Sequence, residues 1–167
     1  MELYHCANTR KSCNICHCSP CRCGCPAGPS IGTIIPYSFS YLYLSNFESE
    51  VFIENEFFIM PTDGRLERLI LSLDIFDYFI NDTATGTVEF RVYTSPISSY
   101  VPTLVASGTF QPLVTSSLPI GSVLIADKIL NVPVFATTRI GIAIAYSTND
   151  FSGSFINATL YGGLHIV

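Results

Sequence analysis

Apolar and polar positions along most of the chain alternate with a period of two. In Val88-Glu89-Phe90-Arg91-Val92 every second residue is apolar and the others are charged. That is the mark of a strand with one buried face, because successive strand side chains point to opposite sides. Glu48, Glu50, Glu54 and Glu56 share one parity while Val51, Ile53, Phe57 and Ile59 hold the other, so the acids are expected toward solvent and the apolar residues toward a core. Ile140, Ile142 and Ile144 alternate with Gly141, Ala143 and Ala145, giving one bulky face and one small enough for another sheet or subunit to approach closely. Leu66 to Ile80 is apolar on both parities and is expected to be a central strand buried on both faces. A helix is the rival reading there, but the β-rich neighbours and the turns at Asp63-Gly64 and Asn81-Asp82 favour a strand. Apolar runs near 33–45, 50–60, 65–79, 87–94, 103–110, 121–134, 138–147 and 154–166, separated by Gly, Pro, Asn and Ser turns, predict an all-β antiparallel sandwich or jelly roll.

The first 29 residues do not follow this pattern. All seven cysteines, Cys6, Cys13, Cys16, Cys18, Cys21, Cys23 and Cys25, lie before Pro26-Ala27-Gly28-Pro29, and Pro26, Gly28 and Pro29 mark a hinge. Residues 1–29 carry Arg10, Lys11 and Arg22 against Glu2, a net of +2, while residues 30–167 carry five cations against twelve acids, a net of −7. The chain therefore divides into a cysteine-rich arm, 1–29, expected to be extended, and a β body, 30–167. The body is long enough for a single core without disulfides; the arm has almost nothing apolar to bury. An acidic body and an arm with three cations do not suit nucleic acid.

Composition sharpens this. Of 167 residues 49% are hydrophobic and 13% charged, with a mean hydropathy of +0.42, a balance opposite to that of a disordered chain. The longest charge-free run, Arg91 to Asp127, is interrupted by Pro96, Pro102, Pro112 and Pro119 and holds no stretch of about 20 continuous apolar residues that a spanning helix needs. Met1 to Cys6 lacks the apolar segment of a secretory signal. So much apolar surface in a chain without a span is most simply covered by another subunit.

Pro61-Thr62-Asp63-Gly64-Arg65-Leu66-Glu67-Arg68-Leu69, Val92-Tyr93-Thr94-Ser95-Pro96, Leu130-Asn131-Val132-Pro133-Val134, Thr137-Thr138-Arg139-Ile140 and Tyr161-Gly162-Gly163-Leu164-His165-Ile166 resemble, in order, the C-terminal domain of BclB-type exosporium glycoproteins. The resemblance covers about residues 31–167 and implies a trimerising, TNF-like jelly roll on the surface of Bacillus-type endospores. Such domains usually follow a collagen-like tract, of which only Gly28-Pro29-Ser30 remains here; a triple helix needs glycine at every third position. An arm in place of that tract resembles the plan of endospore appendage (Ena) pilins, whose N-terminal connector joins a jelly roll to its neighbour. By that analogy the chain is a fibre subunit of stacked homotrimers, with an exosporium or coat anchor protein as a further partner; the alternative is a trimeric head that binds a host or surface ligand.

Three chemistries compete for the arm, which reads Cys13-x2-Cys16-x-Cys18-x2-Cys21-x-Cys23-x-Cys25. Paired Cys-x2-Cys spacings suit zinc, with His5 or His17 as further ligands, but zinc modules separate the pairs by residues that build a small core. A redox motif needs a folded helix terminus to lower a thiol pKa. An odd number of cysteines leaves at least one over or paired with another chain, and an arm that cannot fold alone but can reach a neighbour suits intermolecular disulfides. On a spore surface, as the resemblance implies, thiols made in a reducing cytosol would stay free until assembly and oxidise afterwards.

For the body the expectation is no enzyme, no resident metal and no cofactor. His165 is its single histidine, and abundant Ser and Asp do not make a triad; a part-exposed or interface histidine is the plainer reading. The acids at 48, 50, 54 and 56 are a solvated face before they are calcium ligands. Asn81-Asp82-Thr83 and Asn157-Ala158-Thr159 match the glycosylation sequon without further support. Ile140, Ile142, Ile144, Tyr161, Leu164 and Ile166 are the expected subunit interface.

Overall fold

A computed structural model describes residues 32–46, 51–52, 58–99, 101–149 and 153–167. The seven cysteines, the Pro26, Gly28 and Pro29 hinge, and Glu48, Glu50, Glu54 and Glu56 lie outside the described residues. The body consists of β1 (Thr33–Ser45), β2 (Val51–Phe52), β3 (Phe58–Ile59), β4 (Gly64–Phe79), β5 (Thr85–Pro96), β6 (Thr103–Thr109), β7 (Val114–Thr115), β8 (Val123–Val134), β9 (Thr138–Thr148) and β10 (Phe155–Ile166). Among the described residues no helix is long and apolar enough to cross a membrane.

The strands form two sheets. One has four strands in the order β1-β10-β4-β8; the other has the order β2-β9-β5-β6, with β3 also on β9 and β7 also on β5. Every pairing is antiparallel. Successive strands β1 and β2, β3 and β4, β4 and β5, β7 and β8, β8 and β9, and β9 and β10 lie in opposite sheets, so the chain crosses repeatedly between them, and the result is a jelly-roll sandwich.

The alternating residues close the core between the sheets. Leu66, Leu69, Leu71, Leu73 and Ile75 of β4, Leu124 of β8 and Leu160 and Leu164 of β10 are buried against Val88, Phe90 and Val92 of β5 and Ile140, Ile142 and Ile144 of β9. Full burial of each large side chain contributes about 1.5–3 kcal/mol. Loops are tied to this frame: the Asp63 carboxylate accepts the Ala136 N–H at 2.8 Å, and the Tyr78 hydroxyl donates to the Leu118 carbonyl.

Two details depart from the sequence pattern. Phe58 packs on the core and Ile59 is exposed, the reverse of the expected parity. β4 is central in its sheet but buried on one face only, since Ile70 and Phe76 stay 44% exposed. In a two-layer sandwich each sheet has one covered side, so the second apolar parity of β4 faces outward.

Candidate interaction surface

The outer face of the four-stranded sheet is arranged by register into rows. Ile34, His165, Arg68 and Ile129 form one, and Pro36, Gly163, Ile70 and Asp127 the next. Ser38, Tyr161, Ser72 and Ile125 follow, then Thr159, Asp74 and Val123. Ten of the seventeen exposed large hydrophobic side chains among the described residues lie on these four strands. Single exposed apolar residues are ordinary, but a contiguous group marks an interaction site.

One end of the face is aromatic. The Tyr41 and Phe76 rings are 5.8 Å apart, Tyr43 and Phe155 5.9 Å, and Phe79 and Phe155 6.4 Å, separations typical of favourable ring pairs. The other end is polar at its rim. Arg68 donates from Nε and Nη2 to both oxygens of Asp127, at 2.8 and 2.5 Å, and His165 Nδ1 lies 3.3 Å from the Glu67 carboxylate. Between the rims Gly162 and Gly163 leave a hollow of about 310 Å³, walled by Ile34, Ile70, Arg68 and His165. Among the described residues no cluster of three His, Cys, Asp or Glu side chains could hold a metal ion.

The fork between Arg68 and Asp127 shifts both groups. Hydrogen bonding to the guanidinium holds the Asp127 carboxyl below the usual carboxylate range, and hydrogen bonding to the carboxylate raises Arg68. The pair is exposed, so it adds little to stability. Asp127 has its lower pKa in the folded state; the contribution is therefore complete above its unfolded value of about 3.9 and disappears as pH falls through the depressed one. A carboxyl-carbon NMR titration is expected to place the Asp127 midpoint below about 3.9, moving upward in Arg68→Met. An unchanged midpoint in that variant would show that the fork is not formed in solution.

The expected interface needs correction. Ile140, Ile142, Ile144, Leu164 and Ile166 are buried inside a single chain, because the bulky parity of each strand faces the opposite sheet. Of that group only Tyr161, 46% exposed, lies on the outer face. The small parity of β9 is covered too: Gly141, Ala143 and Ala145 are buried and lie beside Tyr93, Arg91 and Glu89 of β5 in the register. Asn157 is buried, which removes it as a modification site. Missed in the sequence were Ile34, Tyr41, Tyr43, Ile70, Phe76, Ile125 and Ile129; the available signal was an apolar residue on both parities of one strand.

No protein-family model matches the chain, and no curated protein does. Among solved structures, a chain of infectious bursal disease virus, Gt strain, superposes with a TM-score of 0.44 at 11% identity, covering 82% of this chain and 33% of that one. The Gx strain of the same virus gives 0.39 at 9% identity over 80% and 32%. A chain of desmodium yellow mottle tymovirus gives 0.27 at 9% identity over 81% and 90%. This chain thus spans about a third of the length of the two bursal disease virus chains. The jelly roll itself is defined by the strand order and register above.

Proposed function

We propose that the chain is a structural subunit that assembles with copies of itself, its jelly rolls meeting through the outer face of the four-stranded sheet and its arm joining one group of copies to the next. The observation that carries this reading is the concentration of ten exposed large hydrophobic side chains on that face. The face is about 19 Å across and about 33 Å long by strand geometry, so its area is comparable to the roughly 800 Å² each partner contributes to a standard interface. Its Ile, Tyr and Phe, with few charges, match the composition of an interface centre.

The resemblance to BclB-type domains and to endospore appendage pilins supports a finer form: homotrimers stacked head to tail into a fibre on the spore surface, with Cys6, Cys13, Cys16, Cys18, Cys21, Cys23 and Cys25 available for disulfides between chains. A head-to-tail contact that does not close on itself propagates, and three arms engaging together strengthen each junction. The aromatic end formed by Tyr41, Phe76, Phe79, Tyr43 and Phe155 favours a second reading, a terminal head that binds a ligand.

Electron microscopy of the purified full chain separates the two. Fibres identify a repeating subunit, and discrete oligomers identify a head. Removal of residues 1–25 is expected to abolish fibres and leave soluble oligomers. Fibres that still grow from the shortened chain would overturn the connector role.

A further inference from the structure

We infer that Ile129 of one copy seats in the hollow over Gly162 and Gly163 of a second copy, so that the outer face carries a knob and a socket. This rests on the self-association proposed above and specifies its register.

The socket exists because β10 has two successive glycines at the centre of a four-stranded sheet. Gly163 faces outward between Pro36 and Ile70 in the register, and a Cβ there would lie 2.9 Å from Ile34 Cγ2. The floor is backbone and the walls are Ile34, Ile70 and the stem of Arg68. The volume, about 310 Å³, is ample for one branched aliphatic side chain.

The knob is the most exposed large hydrophobic among the described residues: Ile129 is 77% exposed. It lies on β8, the edge strand, in the same row as Arg68, His165 and Ile34. Two strand spacings, about 10 Å, separate it from Gly163, and Arg68, forked to Asp127, stands between. Ile129 therefore cannot fill the hollow of its own chain. Such a contact is either isologous, each copy's Ile129 in the other's hollow, or heterologous, closing into a ring or continuing as a filament. In this arrangement the β8 edge of each copy covers the glycine hollow of the next, which also shields an open sheet edge.

The test places the photo-crosslinker benzoylphenylalanine at position 129 of the full chain, mixes isotope-labelled with unlabelled protein, and identifies the joined peptides by mass spectrometry. Links between copies to peptides carrying Ile34, Ile70 or Gly162 and Gly163 are the expected result. As a second measure, Ile129→Ser and Gly163→Leu are each expected to weaken self-association by about tenfold or more, with the double variant no worse than the more severe single one. Ile129→Ser changes an exposed side chain, so its folding is secure if Gly163→Leu fails to fold. Links to another part of a second copy would overturn this register while leaving self-association intact. Links to residues 1–31 would place the arm, and not the hollow, against Ile129 and overturn the inference. A chain that sediments as a monomer at all concentrations would overturn both the inference and the proposed function.

Discussion

Replacing Phe90 with alanine is expected to destabilise the fold by about 3–5 kcal/mol, a large part of the roughly 5–15 kcal/mol that holds a domain together. Phe90 is buried at the middle of β5 and meets Phe110 edge to face, with ring centroids 6.3 Å apart. Gly108, paired with Phe90 across β6, sits against the same ring, where a Cβ would be 2.7 Å from Cε1. Truncation leaves a void bounded by strand backbone and by residues of both sheets, and neither can relax into it cheaply. A urea titration is expected to show a lower midpoint at unchanged slope. A loss below about 1 kcal/mol would mean that the two sheets collapse onto the gap and that the sandwich is softer than its packing indicates.

The second large effect is on assembly more than on folding. Ile70→Asp together with Phe76→Asp is expected to leave the separated chain folded with a loss of about 0.5–3 kcal/mol, because both side chains are part exposed while Phe76 gives up its ring pair with Tyr41. The same pair puts two unpaired carboxylates on the proposed contact, one beside the glycine hollow and one at its aromatic end. Burying them is strongly unfavourable, so the dissociation constant for self-association should rise by about a hundredfold or more. Sedimentation velocity measures the second effect and circular dichroism the first. Assembly equal to that of the parent chain would remove the outer face of the four-stranded sheet as the contact surface.

The fold was largely legible in the residues, because period-two alternation is a direct record of which parity is buried. Val88, Phe90 and Val92 are buried while Glu89 and Arg91 are not, and the turns at Asp63-Gly64 and Asn81-Asp82 separate strands as expected. The surface was less legible. Alternation identifies a buried parity without saying what buries it, so Ile140, Ile142 and Ile144 could as well have met a subunit as the opposite sheet. The strongest clue was misassigned: β4, apolar on both parities, signalled an outward apolar face, while expectation placed both faces inside one chain. The hollow over Gly162 and Gly163 depends on which strands flank β10, and strand order is a long-range property that no local pattern records.

That strand order also has a consequence for the timing of folding. β10 lies between β1 and β4, so the first strand of the body joins its sheet only through the last. During synthesis, which proceeds from the N-terminal end, β1 waits through more than a hundred residues for Phe155–Ile166 before its hydrogen bonds can form. The other sheet can pair earlier, since β5 and β6 are neighbours in sequence and in space. A chain still being made therefore has no complete four-stranded face to offer its neighbours on the same polysome. The surface through which copies would meet therefore depends on Phe155–Ile166, which is made after every other strand of the two sheets.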